Sequence, residues 1–126
     1  MRRTRAWFDD SEGVEIETER DFHRVVALAK KAKRPRILTL EQQRSWLSLG
    51  VGRKEAPVTF EIAGGSSFHS LGDVSREDEY VGYQFAGETS EIPASFLISW
   101  DLAVKAALYY LETGERSPDV VWESDW

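Results

Sequence analysis

One amphipathic segment near the C-terminus constrains the fold of this chain more than any other part of its sequence. Apolar residues recur there at the spacing of one continuous stripe on an α-helix. Ser99 is a favourable N-cap, and Gly114 stands where a left-handed C-terminal cap is expected. The sequence therefore predicts a helix over 99–113 that buries one side. The stripe consists of Trp100, Ala103, Val104, Ala107, Leu108 and Leu111.

Two segments in the middle of the chain have the two-residue period that is typical of half-buried strands. Val58–Ile62 alternates apolar with polar side chains, and residues 80–86 also show a period of two. Polar residues fill 66–79 between them, which predicts a loop. A turn is expected at 87–90, and shorter apolar runs elsewhere predict further strands.

Residues 19–32 predict a second amphipathic helix, because their apolar side chains recur at helical spacing. Thr18 and Asp21 precede and open it in the manner of a capping box. A length of 126 residues with 41% hydrophobic residues suits one domain spanning 1–126. Together these elements predict an α+β fold, in which two main helices pack on an antiparallel sheet of about five to seven strands.

The residue types available for catalysis are few. The chain has no cysteine, which excludes disulfides, thiolate metal sites and cysteine nucleophiles. His23 falls on the first predicted helix and is interpreted as a boundary residue. His69 lies between Ser67 and Asp73, but a serine nucleophile elbow and a full set of metal ligands are both lacking around it. No catalytic residue, metal ligand or cofactor is therefore predicted. The alternative is a small ligand-binding domain or enzyme with a pocket near His69.

Charge is divided unevenly along the chain, whose net charge is −6. Residues 64–126 contain 12 acidic and 3 basic residues, whereas residues 1–63 contain 10 acidic and 13 basic ones. An acidic half argues against nucleic acid or an anionic membrane as the direct ligand, and favours a basic partner. The basic cluster at 30–36 follows the first predicted helix, where cations stabilise the negative end of the dipole.

Compartment and aromatic content give two further expectations. The chain has no apolar run of the ~20 residues that a membrane helix needs, and its basic start is not followed by the apolar stretch of a signal peptide, so the cytoplasm is expected. Trp7, Trp46 and Trp100 are predicted to lie on core faces, and Trp122 to pack as the plug of a last strand. Trp126 fits either a packing role or a binding anchor.

The C-terminal pattern resembles that of a known protein family. It comprises Ile92-Pro93, a proline that follows a strand, then the helix Ser99–Glu112, a Thr113-Gly114 turn and the run Val120-Val121-Trp122-Glu123. In this order the segments are similar to immunity protein family one of bacterial polymorphic toxin systems. The resemblance is specific over residues 80–123. One departure is Ser117, where the family tends to have proline; here Pro118 follows one position later.

The resemblance implies a binding protein without catalysis. Members of the family bind a cognate toxin, often a deaminase or nuclease that acts on nucleic acid, and block it. A toxin that grips nucleic acid has a basic cleft, which an acidic protein can occlude. The partner-binding candidates are therefore the acidic residues of the C-terminal half and the terminal tryptophan, against the alternative that they form only a solvated loop: Asp73, Glu77, Asp78, Glu79, Glu88, Glu91 and Trp126.

Overall fold

A computed structural model of the chain describes residues 1–9 and 12–125. The strands are β1 (Thr4–Trp7), β2 (Val14–Ile16), β3 (Arg36–Glu41), β4 (Ser45–Val51), β5 (Glu55–Ala56), β6 (Val58–Ile62), β7 (Ser66–Ser70), β8 (Tyr80–Phe85), β9 (Glu88–Pro93), β10 (Ile98–Ser99) and β11 (Trp122–Ser124). The helices are α1 (Glu19–Lys30) and α2 (Trp100–Thr113), with 3-10 turns at Val74–Arg76 and Ala94–Phe96.

The main sheet holds nine of the strands within these described ranges. Its continuous path runs β11-β7-β6-β4-β3-β1-β2, and neighbours on that path are antiparallel. Two strands share one edge of β3. Strand β1 pairs with its C-terminal half, and β8 pairs with its first residue, Arg36, in a single parallel pair. Strand β9 pairs with β8, and β5 with β10 in a separate small ladder. The predicted α+β class is confirmed, although the sequence underestimates the number of strands.

Both helices begin where the local sequence predicts, and α2 also ends there, whereas α1 ends at Lys30 rather than at the predicted residue 32. Thr18 and Asp21 form the capping box of α1, with each side chain accepting from the backbone N–H of the other's position. The Ser99 hydroxyl accepts from the N–H of Leu102 at 3.2 Å, and Gly114 ends α2 with φ at 75°. Glycine suits that left-handed position because it has no Cβ.

The buried side of α2 is rotated from the predicted stripe. Its fully buried residues are mostly alanines, whereas the larger Val104 and Leu108 lie half-buried at the flanks, packed against the core. Small side chains let the helix axis approach the sheet. The bulkier side chains then fill the space between helix and sheet on either side of the line of closest contact. Burial is complete at Ala103, Ala106, Ala107, Tyr110 and Leu111.

The two helices cover the same face of the main sheet. Phe22 and Val25 of α1 and Leu111 of α2 belong to one core cluster with apolar residues of β1, β3, β4 and β6. Tyr110 fastens α2 to the start of β4, because its hydroxyl donates to the Ser45 carbonyl at 2.9 Å. The opposite face of the sheet carries no α-helix among the described residues and is called the open face below.

The prediction of a loop over 66–79 is wrong for its first five residues. Ser66–Ser70 forms β7, which lies between β6 and β11. This strand reads as polar because two of its three residues on the helix side are serines, Ser66 and Ser70, so Phe68 is its only apolar side chain there. Residues 71–79 do connect strands, with one 3-10 turn at Val74–Arg76. The turn expected at 87–90 is also displaced, since β9 already begins at Glu88.

The β8–β9 hairpin packs over one end of the open face. Ile37 and Gly50 are cross-strand partners there, and the Tyr83 ring lies directly against Gly50. A Cβ at position 50 would come within 2.5 Å of that ring, so only glycine permits the contact. Tyr83 is fully buried in a second, small core with Leu97. Elsewhere on the open face, Phe96 of the second 3-10 turn covers His69, whereas Glu41, Trp46 and Glu61 remain partly or fully exposed.

Candidate interaction surface

The open face is organised as rows of side chains that cross the sheet in register. One row follows the cross-strand pairs of β1, β3, β4, β6 and β7. Its members alternate with core residues such as Leu40, Leu47 and Phe60, so they face away from the helices. A second row runs parallel to it, two residues along each strand. The first row is Arg5, Glu41, Trp46, Glu61 and Ser67, and the second is Trp7, Thr39, Ser48, Thr59, His69 and Glu123.

Trp46 does not lie on a core face, so the prediction made for it is wrong. Its neighbour Leu47 points to the helices and is fully buried, which turns the Trp46 indole to the open face. The indole belongs to neither core cluster and stays half-buried. Its cross-strand partners are Glu41 on one side and Glu61 on the other. An aromatic side chain is thus presented between two carboxylates.

The remaining described tryptophans are packed. The core position predicted for Trp7 is also wrong, because Trp7 belongs to neither core cluster and faces the open face beside the buried Ala6. Its ring lies 6.1 Å from that of Phe85, where the β8–β9 hairpin passes β1. Trp100 packs against the core and has the ammonium of Lys30 4.8 Å from its ring. Trp122 also packs against the core, and its indole N–H donates to the Ser117 carbonyl at 2.9 Å. The plug role predicted for Trp122 agrees with these contacts.

His69 lies in a strand and is enclosed, with 6% of its surface exposed. Its Nδ1 contacts the Asp125 carboxylate, and its Nε2 lies 3.0 Å from a carboxylate oxygen of Glu123. The ring also stacks on Phe96 with 3.7 Å between centroids. Both ring nitrogens and one face therefore have partners, and the environment is a packed junction between β7, β11 and the second 3-10 turn rather than an open pocket.

Two surface grooves of the described residues lie away from His69. One, of about 670 Å³, is lined by the N-terminal strand and the β3–β4 turn, from Arg2 to Gln43. The other, of about 700 Å³, lies at the start of α2 between Lys30, Lys54 and Trp100. Neither includes His69 in its lining. The structure thus gives no support to a ligand pocket at that histidine.

The acidic residues before β8 differ in how they are engaged. Asp73 caps the first 3-10 turn, and hydrogen bonds from the hydroxyl and N–H of Ser75 hold its pKa below the usual range. Glu79 lies 3.7 Å from the guanidinium of Arg76. Glu77 and Asp78 are exposed, and within the described chain neither makes an ion pair. Only the latter two carboxylates are wholly available to a partner.

Glu88 and Glu91 lie on β9, paired with Phe85 and Gly82 of β8. Both are exposed, and neither has a cation within 4 Å in the part of the chain that the structure describes. Glu88 stands at the tip of the β8–β9 hairpin, whereas 73–79 precede its base, a separation of about 17 Å along a six-residue strand. The predicted candidates therefore spread along the hairpin. Trp126 lies outside the described residues.

A basic pole lies at the C-terminal end of α1. Lys30 is in its last turn, as the capping interpretation of the 30–36 cluster requires. Pro35 beyond that turn packs against Gly52, which brings the cluster next to Arg53 and Lys54. This pole adjoins the β8–β9 hairpin, since Arg53 donates to the Gly82 carbonyl at 3.1 Å and Gly82 is the cross-strand partner of Glu91. Neither helix of the described residues is long and apolar enough to cross a membrane.

Comparison with known proteins gives one clear result. A family model described as Immunity protein Imm1 matches residues 5–124, which is nearly the whole chain. Among the described residues, the match covers every strand and both α-helices except for the first residue of β1. No curated protein sequence matches the chain.

Proposed function

This chain belongs to the Imm1 family of immunity proteins, and from that premise we propose that it binds one cognate bacterial toxin and neutralises it by occluding the active site. The proposed toxin acts on nucleic acid, as a deaminase or a nuclease does. The protein itself has no catalytic role in this proposal. Residues 1–126 act as one domain in the cytoplasm, where such a toxin would otherwise reach its substrate.

The observation that carries the choice of toxin class is a set of carboxylates left without internal cations. Glu77, Asp78, Glu88 and Glu91 are exposed, and none has a lysine or arginine nitrogen within 4 Å among the described residues. Solubility alone does not require carboxylates along one hairpin to lack neighbouring cations, since a surface of interspersed charges is equally soluble. A cleft that binds phosphates is positive, so it is complementary to these carboxylates.

Electrostatic complementarity would act mainly on the rate of association. Opposite charges steer two proteins together before contact, and salt weakens this effect by screening. Rapid capture suits an immunity protein, because an uninhibited enzyme molecule modifies many substrates before it is bound. In this proposal the surface carboxylates speed association with the toxin, and slow dissociation requires other, less exposed contacts.

The test begins with the toxin domain encoded beside the gene for this chain, purified in an inactive form. We expect a stable complex, loss of toxin activity on nucleic acid when the active toxin is mixed with this chain, and survival of a host that expresses both. Capture from the native strain followed by mass spectrometry checks that the same toxin is bound in the cell. Absence of a complex with the neighbouring toxin and of any captured toxin would contradict the proposal.

A further inference from the structure

We propose that Trp46, with Glu41 and Glu61 on either side, is the receptor for an arginine side chain from the toxin's nucleic-acid-binding cleft. This inference rests on the proposed function and deepens it by naming the contact that holds the toxin after capture. The three residues are called the Glu–Trp–Glu triad. They lie on β3, β4 and β6, in the middle of the main sheet.

The triad is fixed by strand register. Trp46 is the direct cross-strand partner of Glu41 in β3 and of Glu61 in β6. Side chains that face each other in this way have Cβ atoms about 4.5–5.5 Å apart. Both carboxylates are therefore within reach of a group that rests on the indole. Central strands with both edges paired provide a more rigid support than the loop at 71–79.

The binding capacity of the triad is unused within the chain. Neither Glu41 nor Glu61 has a cationic nitrogen within 4 Å among the described residues, and the Trp46 indole N–H has no acceptor there. Arg5, the cation opposite Glu41, packs its side chain over Gly13 instead. Two carboxylates thus flank an aromatic ring with no positive charge between them.

Arginine matches this arrangement better than other side chains do. Its planar guanidinium stacks on an indole, and its fork of N–H donors pairs with carboxylates on its rim. Lysine can supply the charge but not the planar stack. A cleft that binds nucleic acid provides arginines, which would otherwise contact phosphates. Tryptophan and arginine are also the residues that most often carry the binding energy of an interface.

The experiment measures the dissociation constant of the inactive toxin domain from variants of the full chain by calorimetry. Trp46→Ala should weaken binding by roughly 30-fold or more, since loss of an anchor costs that much. Trp46→Phe should retain part of the affinity, because a smaller ring still accepts a cation. The double variant E41Q/E61Q keeps the shape of the triad and should also weaken binding, with a lower salt dependence.

A matched control removes two carboxylates of the same type elsewhere. Glu17 precedes α1 and Glu115 follows α2; both are exposed, and neither side chain makes an ion pair among the residues described. E17Q/E115Q should change the dissociation constant by no more than about twofold. Thermal melting of every variant checks that it folds. If Trp46→Ala does not fold, the affinity of E41Q/E61Q for the toxin tests the triad instead.

The outcomes separate the inference from the proposed function. If the wild-type chain binds the toxin and the triad variants bind it as tightly as the control does, the triad is not the receptor, while toxin binding stands. If the wild-type chain does not bind the toxin, both fail. As a second readout, p-benzoylphenylalanine placed at position 46 should cross-link to a toxin peptide that contains arginine. Cross-linking only to a peptide without arginine would overturn the inference.

Discussion

His69 lies flat against Phe96, with ring centroids 3.7 Å apart and an angle of 18° between the rings. The contact joins β7 to the 3-10 turn that precedes α2, while both edges of the imidazole meet carboxylates that follow or belong to β11. The same histidine thus links three segments that are distant in sequence. The sequence places this residue in a predicted loop, whereas the structure places it at a packed junction of those three segments.

Replacement of His69 by alanine is expected to lower the free energy of unfolding by about 1–3 kcal/mol, because a buried side chain loses hydrogen bonds to charged groups and a ring contact. Urea unfolding followed by tryptophan fluorescence measures the change. His23→Ala is the control, since its side chain is about half exposed (51%), approaches Glu19 at 3.4 Å and meets the Phe22 ring edge-on at 5.3 Å between centroids. Equal stability of the two variants would show that the junction contributes nothing.

The rotation of α2 gives a second prediction. Leu111 is fully buried, whereas Leu108 is half-buried at the flank of the helix. Leu111→Asp should abolish the cooperative thermal transition, because an unpaired charge in the core costs several kcal/mol. Leu108→Asp should be tolerated better, since its carboxylate can reach water. Thermal melting followed by circular dichroism shows which of the two variants is less stable. A larger loss of stability in Leu108→Asp than in Leu111→Asp would contradict the observed helix orientation.

Because the Tyr83 hydroxyl is buried, we expect the free energy of unfolding to fall in alkaline solution. Burial raises the pKa of its hydroxyl from 10.0 to about 12. Between these values the unfolded chain binds fewer protons than the native one, so the free energy of unfolding falls as the pH rises from about 10 toward 12. Below about pH 10 this contribution is fully present. Urea unfolding at about pH 9 and about pH 11 measures the difference.

Tyr83→Phe should reduce this alkaline loss, and Tyr109→Phe, at an exposed tyrosine, should not. Tyr110 keeps a part of the effect in both variants, because burial also raises its pKa. An unchanged pH dependence in Tyr83→Phe would show that its hydroxyl is not protected from ionisation in the native state.

The acidic residues of the loop at 71–79 lead to a prediction about the rate at which the chain associates with the toxin. Reversal of Glu77, Asp78 and Glu79 to lysine should lower the association rate with the toxin and reduce its dependence on salt, because steering acts over a Debye length of about 8 Å at physiological ionic strength. The dissociation rate should change little. Stopped-flow mixing at several salt concentrations measures both effects.

The same three positions changed to glutamine provide the control, with an intermediate rate expected. The fold should survive, although Glu79 loses its contact with Arg76 at 3.7 Å, since exposed ion pairs contribute little. A triple lysine variant that associates as fast as the wild-type chain, with the same salt dependence, would place the capture surface elsewhere.

Loop acids and the triad have separate tasks in this scheme. Glu77 and Asp78 are exposed on a connection between strands, which suits long-range attraction but not a precise contact. Trp46 stands on a central strand that is paired on both sides. Variants of the loop should therefore act on the association rate, and variants of the triad on the dissociation rate, a division that the two sets of measurements can verify.

Local signals determined the helices, because capping and periodicity need only neighbouring residues. Thr18 with Asp21 opens α1, and Ser99 with Gly114 bounds α2, all as the sequence indicates. The alternation of Val58–Ile62 likewise determined β6, since one face of that strand is buried. The similarity of the C-terminal segments to a family of immunity proteins could also be read from their order alone.

The tertiary structure decided what the sequence left undetermined, namely which residues meet across the sheet. Trp46 reads as a core residue until its register with Glu41 and Glu61 is known, and His69 reads as a loop residue until β11 pairs with β7. Both depend on pairing between segments that are distant along the chain, and a shift of one residue would exchange the two faces. Periodicity records that a strand has two faces, but only the packing of the helices determines which face is covered and which carries the binding surface.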